Sequence, residues 1–160
     1  MIVISSGESS LAEPTGSPTA RESLALCDRS DDVPEAEKTT LLDRGLRLAE
    51  RALEDDAHDG AAHFGVFCNL GKLTDLRGAG LRSLFAIRRL HRELEASLAL
   101  APDDPDVLAA KGAFLLNLPR LLGGDTVEAE RSLRRALEIE PTNGTAQRYL
   151  DKARQSSRQP

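Results

Sequence analysis

Leu133-Arg134-Arg135-Ala136-Leu137, running on into Glu138-Ile139-Glu140-Pro141, is an amphipathic phrase stopped by a proline. It has two earlier counterparts. Leu94-Glu95-Ala96-Ser97-Leu98 runs into Ala99-Leu100-Ala101-Pro102, and Ala49-Glu50-Arg51-Ala52-Leu53 into Glu54-Asp55-Asp56-Ala57. A small residue (Ala52, Ser97, Ala136) stands five positions before Ala57, Pro102 or Pro141 each time. Self-similarity at intervals of roughly 20–50 residues marks a repeat architecture. Each repeat leaves an apolar face bare, so neighbours must stack to bury it.

Working outward from the three phrases, the chain reads as about seven helices. The first covers about 18–30, with Thr19 and Glu22 at capping-box spacing. The second starts after Asp32, with Pro34 in its first turn, and ends near Asp55; Leu41, Gly45, Leu48, Ala49 and Ala52 form its apolar stripe. The third covers about 60–72, and Gly78 and Gly80 place a loop over 73–82. The fourth covers about 81–100, with Leu84, Ile87, Leu90, Leu94 and Leu98 on one face. Asp104 and Pro105 read as the cap and first position of a fifth helix over about 105–118. A loop over 119–125 ends in Asp125, which with Glu128 opens a sixth helix over about 126–140. A seventh covers about 143–154 and carries Ala146, Leu150 and Ala153. No alternating Val/Ile/Thr run competes as a strand. Residues 1–16 and 155–160 lack apolar periodicity and are expected as flexible tails around a helical domain over 17–154.

The paired helices resemble tetratricopeptide repeats. That pattern has a Gly late in its first helix, then small and large apolar residues in the second, with a Pro after it. Gly112, Ala129, Leu133, Ala136 and Pro141 carry it in one copy, with Leu108 at the opening aromatic position. Gly65, Leu90, Leu94, Ser97 and Pro102 carry it in another. Gly45, Ala49, Ala52 and Ala57 form a partial first copy, without the early Gly. The copies lie 45 and 39 residues apart, measured at Ala52, Ser97 and Ala136, against a standard period of about 34. The excess is expected as lengthened loops inside the hairpins, a feature reminiscent of periplasmic helpers of substrate transporters and of microtubule-associated relatives. The resemblance implies an all-α, right-handed α-solenoid of about three helical hairpins plus a C-terminal capping helix.

Composition narrows the function classes. The core must be aliphatic, because aromatics make up only 3% of the chain and Trp is absent. A formal charge of −5 argues against general nucleic-acid or anionic-membrane binding. No run reaches the roughly 18–20 apolar residues of a membrane span, and the opening Met1-Ile2-Val3-Ile4 is too short for a signal-peptide core. The default expectation is therefore cytoplasmic. Cys27 and Cys68 lie in separate apolar patterns and are expected as buried free thiols, with a disulfide as the alternative.

The chain carries no phosphate-binding loop, nucleophile elbow, Cys-x-x-Cys motif or dinucleotide fingerprint. His58 and His63 sit about 140° apart on a helix, which is unfavourable for a shared metal. Neither metal nor cofactor is expected, and no enzyme. By resemblance, the first helices of the hairpins line a groove for a peptide or helix of a protein partner, with His63, Asn69, Lys72, Lys111 and Asn117 as the groove candidates. Arg82, Arg88, Arg89 and Arg92 form a basic cluster, either a solvated helix face or a docking patch for an acidic partner. The leading expectation is a non-enzymatic adaptor. The alternatives are a homo-oligomeric subunit, using Leu121 and Leu122, and a small-ligand carrier or helper of a transport system. Asn143-Gly144-Thr145 also has the form of a glycosylation acceptor.

Overall fold

A computed structural model describes residues 16–78 and 81–156, apart from the side chains of 81–83 and 156. The helices are α1 (Pro18–Arg29), α2 (Glu35–Asp55), α3 (Gly60–Arg77), α4 (Leu81–Leu100), α5 (Pro105–Asn117), α6 (Thr126–Ile139) and α7 (Gly144–Ser156), with a 3-10 turn at Arg120–Leu122. Among the described residues there is no strand. The pairs α1–α2, α3–α4 and α5–α6 pack as hairpins, and α7 closes the end against α5 and α6. The architecture is an α-solenoid of helical hairpins. The tail expected over 1–16 lies almost wholly outside the described residues, and α7 takes up the start of the one expected at 155–160.

Short polar side chains start most helices by accepting backbone N–H groups that have no partner inside the helix. Asp104 accepts from Asp106 and Val107, Asp125 from Val127 and Glu128, and Asp59 from Ala62. Asn143 accepts from Ala146 and is 5% exposed, which removes it as a glycosylation acceptor. Two expected starts are corrected. Ser17, not Thr19, caps α1, because Pro18 already sits at the first helical position. Pro34 stands at the N-cap of α2 with no side-chain cap bond. The loop expected over 73–82 is mostly helix. α3 continues through buried Leu73 to Arg77 and ends where Gly78 takes a φ of 74°. Only glycine adopts that left-handed turn freely, so the helix stops there rather than at Lys72.

Small residues set how closely the helices approach. Gly65 on α3 faces Ser23 of α1 and Ala49 of α2, where an added Cβ would meet them at 2.8 and 3.1 Å. The expected α2 stripe is buried at Gly45, Ala49 and Ala52, but Leu42 rather than Leu41 or Leu48 is its large member. Gly112 on α5 lies against Leu133 of α6. Leu108, Ala109, Leu133, Ala136, Ala146 and Leu150 form the core shared by α5, α6 and α7.

The junction between the second and third hairpins differs. Phe67 of α3 meets Phe114 of α5 edge-on, with ring centroids 5.5 Å apart, and Phe64 stacks on Phe67 at 6.1 Å. Rings hold helices further apart than glycine and alanine do. Neither α3 nor α4 approaches α5 as closely as α1 and α2 approach α3. Two open clefts follow from that spacing.

The two cysteines expected as free thiols form a disulfide, Cys27–Cys68, that joins α1 to α3. The close α1–α3 approach allowed by Gly65 brings the sulfurs within bonding distance.

Candidate functional site

Both clefts lie at the junction of the second and third hairpins. The first, about 660 Å³, opens between α4, α5 and α6, with Leu98, Ala99, Pro102 and Leu108 on its floor. Its rim is charged: Lys111 bridges Glu95 and Glu128, each at 3.5 Å, while Arg131, Arg134 and Arg135 line the α6 side. The second, about 680 Å³, forms where the N-terminal halves of α1, α3 and α5 converge. Leu24, Phe64 and Val107 supply its apolar wall, and Asp55, Asp56, Asp104 and Asp106 its acidic border.

The electrostatics of the acidic cleft come from its helix starts. Partial burial pushes Asp59 upward, but hydrogen bonds from Ser17 and Ala62 outweigh it and hold the carboxyl below its usual range. Asp106 goes the other way. Partial burial raises it, and the nearby Asp104, Glu140 and Asp28 carboxylates add to the rise against the hydrogen bond from Asn143.

The five polar residues expected in a groove are placed separately, and each has a partner within the chain. His63 pairs through Nδ1 with Glu93 at 2.8 Å and through Nε2 with the Ala57 carbonyl at 3.1 Å. Asn69 is fully buried and donates to Gly65 and Ser23. Lys72 donates to the Cys27 carbonyl and to Asp31, each at 2.8 Å, and ties α3 to the end of α1. Asn117 accepts from Lys152 of α7. Lys111 borders the first cleft, and the other four line neither of the two described. The amide Oδ1 of Asn69 faces Gly45, whose missing side chain makes room for it. The apolar neighbours of Asn69 were visible in the sequence; the fact that they close over it was not.

The basic cluster divides in the same way. Arg89 bonds Glu50 of α2 at 2.6 Å, and Arg92 bonds Glu93 at 3.0 Å. Arg88 points outward without an ion-pair partner among the described residues, and the side chain of Arg82 lies outside them. Glu93 is 5% exposed at the centre of this network. Burial pushes its carboxyl upward, but the hydrogen bonds from His63 and Arg92 prevail and hold it below the usual glutamate range. A depressed carboxyl contributes stability that is complete above its unfolded pKa and is lost as the pH falls through the folded value. Glu93→Gln should therefore lower stability at about pH 7 and flatten the loss as the pH falls below the ordinary glutamate value of about 4.3. Urea unfolding above and below that value measures it; an unchanged pH slope would remove Glu93 from the account.

Among the described residues, no three His, Cys, Asp or Glu side chains are grouped to hold a metal, and His58 and His63 do not converge. No helix among them is long and apolar enough to cross a membrane.

No protein-family model and no curated protein matches the chain. Solved structures do. The first TPR of Spaghetti (RPAP3), bound to the HSP90 peptide SRMEEVD, is similar at 16% identity and a TM-score of 0.57, over 88% of this chain and 96% of that one. The Arabidopsis OM64 TPR domain is similar at 14% identity and a TM-score of 0.58, over 86% of this chain and 98% of that one. At such identities the likeness establishes the fold, a divergent tetratricopeptide-repeat solenoid, and nothing about ligands.

Proposed function

We propose, on the premise of this tetratricopeptide-repeat fold, that the chain is a non-enzymatic adaptor that holds an extended segment of a partner protein in the cleft between α1, α3 and α5. The observation that carries it is the cleft itself: first helices of three successive hairpins converge on an open hollow with Leu24, Phe64 and Val107 in its wall. The RPAP3 neighbour, which binds a peptide, supports the class of ligand. The charge points to a different sequence. SRMEEVD carries a pair of glutamates and a terminal aspartate, whereas this cleft is bordered by Asp55, Asp56, Asp104 and Asp106. Like charges across an interface are strongly disfavoured, so the partner segment carries Lys or Arg. The disulfide supports placement in an oxidising compartment rather than the cytoplasm.

Selection of a random peptide library on the full chain tests this. Enriched peptides should be basic, and Asp55→Lys with Asp56→Lys should weaken them at least about tenfold. Arg134→Glu, beside the other cleft, should leave them unchanged. No enrichment, or equal binding to the Asp55/Asp56 variant, would reject the assignment.

A further inference from the structure

The Cys27–Cys68 disulfide lies behind the wall of the cleft between α1, α3 and α5. Leu24 and Phe64 line that cleft from α1 and α3. Cys27 follows Leu24 by three residues and Cys68 follows Phe64 by four, spacings that keep side chains on one helix face, a turn apart. The bond therefore fixes the spacing of α1 and α3 one turn below the apolar pair. Toward the helix starts the same two segments are joined by the Ser17 N–H on the Asp59 carboxylate, at 2.8 Å.

The two sides of the cleft are anchored unequally. α1 is the outermost helix, packed against α2 and α3. Leu26 is its one large apolar side chain that is buried; the other buried members are Ala20, Ser23 and Cys27. α5 buries Val107, Leu108 and Leu115, and the core that it shares with α6 and α7 contains no cysteine. Loss of the bond therefore acts on the α1 side and leaves the α5 side in place. The bond is also within reach of a thiol. Cys27 is fully buried, but Cys68 keeps part of its surface in solvent, and thiol–disulfide exchange depends on access to a sulfur.

We propose that this bond is a redox switch for the cleft, an inference that rests on the cleft being the site of the partner segment. Closed, the bond holds Leu24 and Phe64 together as one apolar wall. Opened, it lets α1 draw away from α3, and the cleft loses its Leu24 side. The opening reaction is exchange with a dithiol reductant. A thiolate of the reductant attacks Cys68 Sγ, the bond to Cys27 breaks, and Cys27 leaves as a thiolate that takes up a proton. The second thiol of the reductant then displaces Cys68 from the mixed disulfide, and Cys68 is protonated in turn. Two electrons pass to the chain, and the reductant ends as a disulfide. Exchange with a disulfide donor runs the reaction backwards. The cleft thus becomes competent where the chain meets an oxidising environment.

A fluorescent peptide of alternating Lys and Leu tests this on the full chain. Leu24→Trp, measured without peptide, gives a second readout, since the chain has no tryptophan of its own. The oxidised chain should bind the peptide, and Asp55→Lys with Asp56→Lys should weaken it at least about tenfold. Excess dithiothreitol should weaken the peptide at least about tenfold and shift the Leu24→Trp emission to the red, with helical circular dichroism retained. Cys27→Ala with Cys68→Ala should bind like the reduced chain with or without dithiothreitol. Binding and reduction are linked, so saturating peptide should raise the ratio of reduced to oxidised dithiothreitol at half reduction by the same factor.

Equal affinity after reduction overturns the switch, whether or not the emission moves, and leaves the cleft assignment standing. Loss of the helical signal on reduction also overturns it, because the bond would then be a staple of the whole fold. An oxidised chain that binds no peptide, or binds it regardless of Asp55 and Asp56, overturns the cleft assignment and the switch with it.

Discussion

Reducing the Cys27–Cys68 disulfide is expected to lower the unfolding free energy by about 4 kcal/mol, from the chain-entropy relation for a loop closed across a separation of 41 residues. The loss should be local first. α1 has only 12 residues, too few to hold a helix alone in water. Its remaining ties to α2 and α3 include the Ser23 hydroxyl on the Gly45 carbonyl, Asn69 on Ser23, Lys72 on the Cys27 carbonyl, the Ser17 N–H on Asp59, the Arg44–Glu22 ion pair and the small Ala20–Ala52–Ala62 cluster. Hydrogen exchange should show α1 opening before α5–α7 once the bond is reduced. Cys27→Ala with Cys68→Ala should reproduce the loss without reductant. An unchanged unfolding midpoint under reductant would show that the bond does not constrain the chain.

At the other end, Leu133→Ala is expected to cost about 3–4 kcal/mol, because Leu133 is fully buried in the α5–α6–α7 core and truncation leaves a cavity. Gly112→Ala should also destabilise, by about 1–3 kcal/mol, since its Cβ would fall 2.4 Å from Leu133 Cγ and 3.0 Å from the Ala129 carbonyl oxygen. The two changes should not add. Shortening Leu133 removes the clash that Gly112→Ala creates, so the double variant should be more stable than the sum of the singles by at least about 1 kcal/mol. Strict additivity in denaturant unfolding would mean that α5 and α6 separate on substitution instead of meeting at those atoms.

Local chemistry made most of the fold readable. Asp104 with Pro105, and Asp125 before Val127, cap helices where their sequence neighbours say they should, because capping depends on groups three residues away. Gly112, Ala129, Leu133 and Ala136 announced a helical pair in close contact. Gly78 misled only about position: the glycine signals a stop, and how far a helix runs before it depends on whether Leu73 finds a buried place.

The sites were far less legible. Asn69 and Lys72 looked like groove residues because polar groups among apolar neighbours suit a ligand, yet the Asn69 amide N–H and the Lys72 ammonium both donate to α1, more than 40 residues away in the chain, and the Asn69 Oδ1 is closed off against Gly45 without a hydrogen-bond partner among the described residues. The same holds for Asn117, whose partner Lys152 comes from α7. Hydrogen-bond partners at such separations exist only once the hairpins have stacked.

The sequence by itself determined the seven helices, their hairpin pairing and the repeat class, since periodicity, caps and small-residue spacing act over a few residues. The tertiary structure alone decided the Cys27–Cys68 bond, the two clefts and the exposure of Phe85 and Leu121. Each of these is a distance between segments far apart in the chain, set by how closely glycines or phenylalanines let neighbouring helices approach.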